Sequence, residues 1–262
     1  MAKFKRSSEV CEYRKKQSSQ PKLIDFKYSN PIWLHILEFI LNFAIMKNIA
    51  IITGDIVDST KMTKTERTSM LQLLQSLPEW LSPLCKTNIE IFRGDSFQLK
   101  VTEPTKALQI ALAIRAIIRA NKFAGNNQQW DARLAIGIGT LDYETDSLST
   151  SDGEAYRLSG RGLDIIGRAR LHIETPWEEV NNELIVSTLF ADDIVTRWTP
   201  SQSRIMFEKL VKNNSQEDIG NILGVSRQMV SKTLKVAKDA LISVYIKRFK
   251  GLINERTVWE RQ

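Results

Sequence analysis

Between residues 48 and 140 the hydrophobic pattern switches between the two-residue period of a strand and the 3.6-residue period of a helix, in an order that few folds accept. A β-branched run at 48–53, with Ile49, Ile51 and Ile52, reads as a buried strand that stops at Gly54-Asp55. Helical spacing of Met70, Leu71, Leu74 and Leu77 predicts a helix over 62–77, closed by Pro78. Strands follow at 87–92 and 96–101 around a tight Arg93-Gly94-Asp95 turn, a hairpin whose tip carries an aspartate. Pro104 suits the first turn of a helix reaching residue 121, and residues 130–140 read as a further strand. The βαββαβ order predicts an α+β body: a single antiparallel sheet with helices on one face. A Ser/Thr/Asp-rich segment at 143–152 leads to a helix over 154–171 and a strand at 183–187, and the body is assigned to 46–198.

Charge divides the 262-residue chain further. Residues 46–198 carry a net −3, whereas residues 199–262 hold 12 Lys and Arg against six Asp and Glu. A basic C-terminal piece on a mildly acidic body points to a polyanion partner for that piece alone. Two cysteines, Cys11 and Cys85, and two histidines, His35 and His172, exclude a Cys/His zinc site and a disulfide framework. They fit a reducing, cytoplasmic setting with oxygen-ligated metals, if any. Residues 1–45 read as a disordered or added extension. Its apolar run at 32–45 is shorter than the roughly 20 residues that span a bilayer, so no membrane partner is expected. Met46 opens directly onto the first strand and is the expected functional start.

In this topology Asp55 and Asp95 reach one end of the sheet. Two carboxylates converging without His or Cys suit Mg2+ or Mn2+, the ions that bridge nucleotide phosphates. Ile56, Ser59 and Thr60 lie in a loop leading towards a helix N-terminus, where free backbone N–H groups favour phosphate. Asp58, Ser59 and Thr60 serve equally as capping residues, and Asp95 as a turn former.

The strings ITGDIVDST at 52–60, RGDSFQ at 93–98, RLAIGIGTLDY at 133–143 and DGEAYRLSGRGLD at 152–164 together resemble the SatD family of bacterial proteins. More distantly they look like the class III nucleotide cyclase domain. That resemblance implies a cyclase-like, ferredoxin-like fold, metal-binding Asp55 and Asp95, nucleotide-binding Arg157 and Arg161, and a homodimer sharing its sites between subunits. Arg161 takes the place of the arginine that steadies phosphates in those cyclases, a catalytic role if the body is an enzyme. The chain departs from the cyclase pattern where Arg157 replaces the ribose-placing Asn. Ile91 and Thr150 also stand where a purine-reading Lys and its acidic partner belong, which speaks against purine cyclisation.

After Thr199-Pro200 opens a helix with Ile205, Leu210 and Val211 as core positions, Ser215 to Asp218 forms a capping box for a second one. Gly224-Val225 makes a turn, and Ser226 caps a third helix with Arg227, Gln228, Ser231, Lys232 and Lys235 on one side. Met229, Val230 and Leu234 lie on the other. Residues 199–262 therefore read as an all-α helix-turn-helix domain that binds DNA through Ser226, Arg227, Gln228, Ser231, Lys232 and Lys235; a small packing or dimerisation module shares the pattern. The expected whole is a cytoplasmic transcriptional regulator whose dimeric body senses a metal-bound nucleotide. The alternative is a metal-dependent nucleotide cyclase or related phosphoryl-transfer enzyme.

Overall fold

A computed structural model of the chain describes residues 48–92, 94–121 and 128–259. The expectations for residues 1–45 and for a start at Met46 lie outside these, as does Arg93. The described residues fall within one compact unit.

The core begins with β1 (Ile49–Ile56), the central strand of a five-stranded sheet among the described residues. After a capping box between Thr63 and Glu66, α1 (Lys64–Leu81) runs through Pro78 rather than stopping at it. The hairpin β2 (Thr87–Phe92) and β3 (Ser96–Val101) pairs Phe92 with Ser96. Next come α2 (Ala107–Ala120), β4 (Ala132–Gly139), α3 (Glu154–Ile165) and β5 (Leu171–Glu174). The sheet order is β2-β3-β1-β4-β5.

Two features of the expected sheet need correction. β4 and β5 pair in parallel, so the sheet is mixed rather than antiparallel. Helices also cover both faces. Ala50, Ile52 and Ile56 point into the main core with α1 and α2, while Ile49 and Ile51 join Ala155 and Tyr156 of α3 in a second cluster. Burial on both faces explains why β1 is a nearly continuous apolar run. A Cβ at Gly137 would lie 2.2 Å from the Ala155 carbonyl oxygen, so only glycine lets α3 lie this close on β4.

The helix expected over 154–171 ends at Ile165 because Gly167 adopts φ +60 and turns the chain into β5. The strand expected at 183–187 is instead the middle of α4 (Glu178–Thr196). Its β-branched residues lost to a longer helical stripe, Val180, Leu184, Thr188, Ala191 and Val195, that packs inward.

Four helices complete the unit: α5 (Pro200–Lys212), α6 (Gln216–Leu223), α7 (Arg227–Val236) and α8 (Asp239–Trp259). α5 lies on α2, and Gln109 Nε2 donates to the Leu210 carbonyl at 2.6 Å. One apolar cluster includes Leu99 of the sheet, Phe207 of α5, Leu234 of α7 and Phe249 of α8, so this core crosses the expected boundary at 198/199.

Candidate functional site

Antiparallel register sets Asp55 between Ser96 on β3 and Arg133 on β4. The hairpin tip is tied to the same point, since the Ile56 N–H donates to the Asp95 carbonyl at 3.1 Å. Topology thus brings the two aspartates to neighbouring backbone positions. Their side chains have different partners. Arg133 grips Asp55 with two guanidinium nitrogens, Nε at 2.9 Å and Nη2 on the other oxygen. Asp95 accepts a hydrogen bond from Ser59 Oγ at 2.6 Å.

A divalent cation does not fit this donor set as it stands. It would have to displace Arg133 from Asp55, and no group of three His, Cys, Asp or Glu is placed to share an ion among the described residues. Register thus puts a guanidinium opposite Asp55, where Mg2+ or Mn2+ was expected. Two amides at the start of the loop are also engaged: Ile56 N–H by the Asp95 carbonyl, and Val57 N–H by the Asp131 carbonyl at 2.9 Å. Ser59 is buried, Thr60 is exposed, and the N-terminus of α1 is closed by its own capping box.

On α3, Arg157 is held by Asp152 at 3.0 Å and Asp142 at 2.9 Å. Arg161, one turn later, is exposed and has no ion pair among the described residues.

Sequence reasoning missed a cluster of buried charges. Asp131, 2% exposed, accepts from Arg115 Nε and Nη2 at 3.0 and 2.9 Å, from Arg119 Nη1 at 2.8 Å and from Arg170 Nη1 at 2.8 Å. Arg115 also donates to Asp192 at 2.6 Å. Burial alone would push the Asp131 carboxyl up; Arg115, then Arg119 and Arg170, outweigh it and hold the carboxyl below its usual range. The sequence signal was present: Arg115 and Arg119 stand four apart inside a helix whose other residues, Gln109 apart, are apolar.

Three arginines against two aspartates leave this cluster one positive charge in excess. Arg170 is its partly exposed member and opens onto a pocket of about 360 Å3 beside the end of β1. Ile56, Val57, Asp58, Arg133, Gly167 and Arg168 complete the wall. Arg168 is exposed and unpaired among the described residues.

At the other candidate site, Ser215 and Asp218 cap α6, Gly224 turns at φ +67, and Ser226 Oγ accepts the Met229 N–H at 3.2 Å to start α7. α7 buries Val230 and Leu234. Ser226, Arg227, Gln228, Ser231, Lys232 and Lys235 are all exposed. Met229, expected on the buried side, is 54% exposed because α7 presses a single stripe on its neighbours and Met229 falls beside that stripe.

No family model matches the chain. No curated protein matches it either. Among solved structures it is similar to the active GGEEF domain of a diguanylate cyclase from Vibrio cholerae, at 19% identity and a TM-score of 0.37. That match covers 55% of this chain and 94% of that one. No helix among the described residues is long and apolar enough to cross a membrane.

Proposed function

We propose that the chain is a DNA-binding regulator in which α6 and α7 form a helix-turn-helix and α7 enters the major groove. The observation that carries this reading is the division of α7: one apolar stripe anchored by Val230 and Leu234, and an exposed remainder in which Arg227, Gln228, Ser231, Lys232 and Lys235 stand beside Met229 and Val236. Capping by Ser226 fixes where the helix begins, so Arg227 and Gln228 stand at the end that meets base edges, with Lys232 and Lys235 placed for phosphates. Duplexes selected from a random-sequence pool should therefore bind the full chain. Arg227→Ala should weaken the selected sequence by about 1 to 3 kcal/mol, while Lys235→Ala should weaken all duplexes alike and flatten the salt dependence. Failure to enrich any duplex, or binding indifferent to both changes, would reject this reading.

The body's proposed part is to sense a phosphate-bearing ligand. The sequence blocks that resemble the SatD family and, distantly, nucleotide cyclases support a nucleotide, and the Arg133, Arg168 and Arg170 pocket supports an anion held without a metal. Inorganic triphosphate is the simplest probe. It should bind in the absence of Mg2+ and Mn2+, and Arg168→Ala should weaken it by about 1.5 to 3 kcal/mol, the range for a hydrogen bond to a charged group. Binding that requires Mn2+ and disappears in Asp55→Asn and Asp95→Asn would instead favour the metal-dependent phosphoryl-transfer reading, with Arg161 as the transition-state cation.

A further inference from the structure

The middle of the outward side of α4 is apolar. Surface helices of monomers pair a buried apolar stripe with a hydrated face, yet Ile185, Val186, Leu189 and Phe190 are 55 to 69% exposed on the side opposite the core. The surface continues on both flanks. On one side a groove of about 370 Å3 runs between the end of α3, β5 and α4, bordered by Ile165, Leu171, Ile185 and Leu189. On the other, α8 is fixed to α4 by the Thr188–Tyr245 hydroxyl pair at 2.6 Å and by Arg248 on Glu183. There α8 exposes Leu241 and Val244.

With roughly 150 Å2 of surface for a large apolar side chain, the exposed fractions of these residues amount to about 650 Å2. Monomers seldom leave more than about 300–600 Å2 of contiguous apolar surface in water. A partner in an ordinary stable interface contributes about 800 Å2. The patch therefore has the size of one half of a dimer contact.

We propose that this face of α4 and α8 joins two copies of the chain. A two-fold contact requires a surface complementary to itself, and this one carries both a knob and a hole. Phe190 is the most exposed of the large α4 side chains, and the groove beside Ile165 and Leu189 lies on the same patch. A two-fold axis across α4 sets each Phe190 against the other copy's groove. Around the rim, Glu183, Glu179 and Asp193 are already paired within one copy with Arg248, Arg256 and Arg197, which reduces the like-charge repulsion between two copies there. None of the contact residues lies on α7. The argument is independent of DNA binding and of the subunit arrangement that the cyclase resemblance implies.

Sedimentation equilibrium of the full chain from nanomolar to tens of micromolar tests this. The wild-type protein should be dimeric in the upper range. Phe190→Glu and Leu241→Glu, on different helices, should each raise the dimer dissociation constant at least a hundredfold while keeping the helical circular dichroism of the wild type. Arg227→Ala should leave the dimer intact. A wild-type chain monomeric at tens of micromolar, or a dimer unchanged by both glutamates, would overturn the proposal.

Discussion

Replacing Asp131 by Asn should destabilise the protein by about 3 to 5 kcal/mol, the usual consequence of removing one partner from a buried ion cluster. Asp131 is the shared acceptor of Arg115, Arg119 and Arg170. Without its charge, three guanidinium groups, those of Arg115 and Arg119 buried, would face Asp192 alone. The geometry also predicts a pH dependence. Because the folded-state pKa of Asp131 is depressed, its contribution is fully present above the unfolded carboxylate value of about 3.9. It is lost as the pH falls through the lower folded value. Denaturant midpoints measured from neutral pH downwards should therefore drop below about pH 4 in the wild type, and Asp131→Asn should be weaker throughout with a flatter drop. A variant within about 0.5 kcal/mol of wild type at pH 7, the range of ordinary surface changes, would show that the cluster contributes little.

Trp198→Ala should lower stability by a similar amount, about 3 to 5 kcal/mol. Trp198 is 2% exposed and belongs to the cluster that holds both the sheet and the C-terminal helices. Its indole N–H donates to the Ala237 carbonyl at 2.9 Å, and its own carbonyl accepts from Arg119 at 2.7 Å and Gln129 at 2.9 Å. One residue thus ties α2, the end of α4 and the end of α7 together. Since the core is continuous across residue 198, body and C-terminal helices should unfold in one cooperative step, with circular dichroism and tryptophan fluorescence changing together. Two separate transitions in the wild type would mean that residues 199–262 form an independent domain after all.

Periodicity, caps and turn residues are local properties, and local properties of this chain were legible in its sequence. The strands before residue 140, the hairpin with Asp95 at its tip, and the Ser215 and Ser226 helix starts all follow from residues within a few positions of one another. Ile185 and Val186 could read as strand because β-branching favours a pleated surface. Their helical state was decided by the inward stripe of α4 packing beside β5. The parallel pairing of β4 with β5 and the cover on both faces of β1 likewise needed the packed structure.

The site follows the same division. Sequence was sufficient to bring Asp55 and Asp95 to one end of the sheet, since strand order alone does that. Which charge each would meet depended on register and on packing between distant segments. Arg133, 78 residues beyond Asp55, falls directly across the sheet from it and takes the carboxylate that a metal would need. Asp131 gathers arginines from residues 115, 119 and 170. An ion pair between residues so far apart leaves no periodic trace in the chain, because its energy depends on a separation of a few ångströms that only the folded backbone establishes.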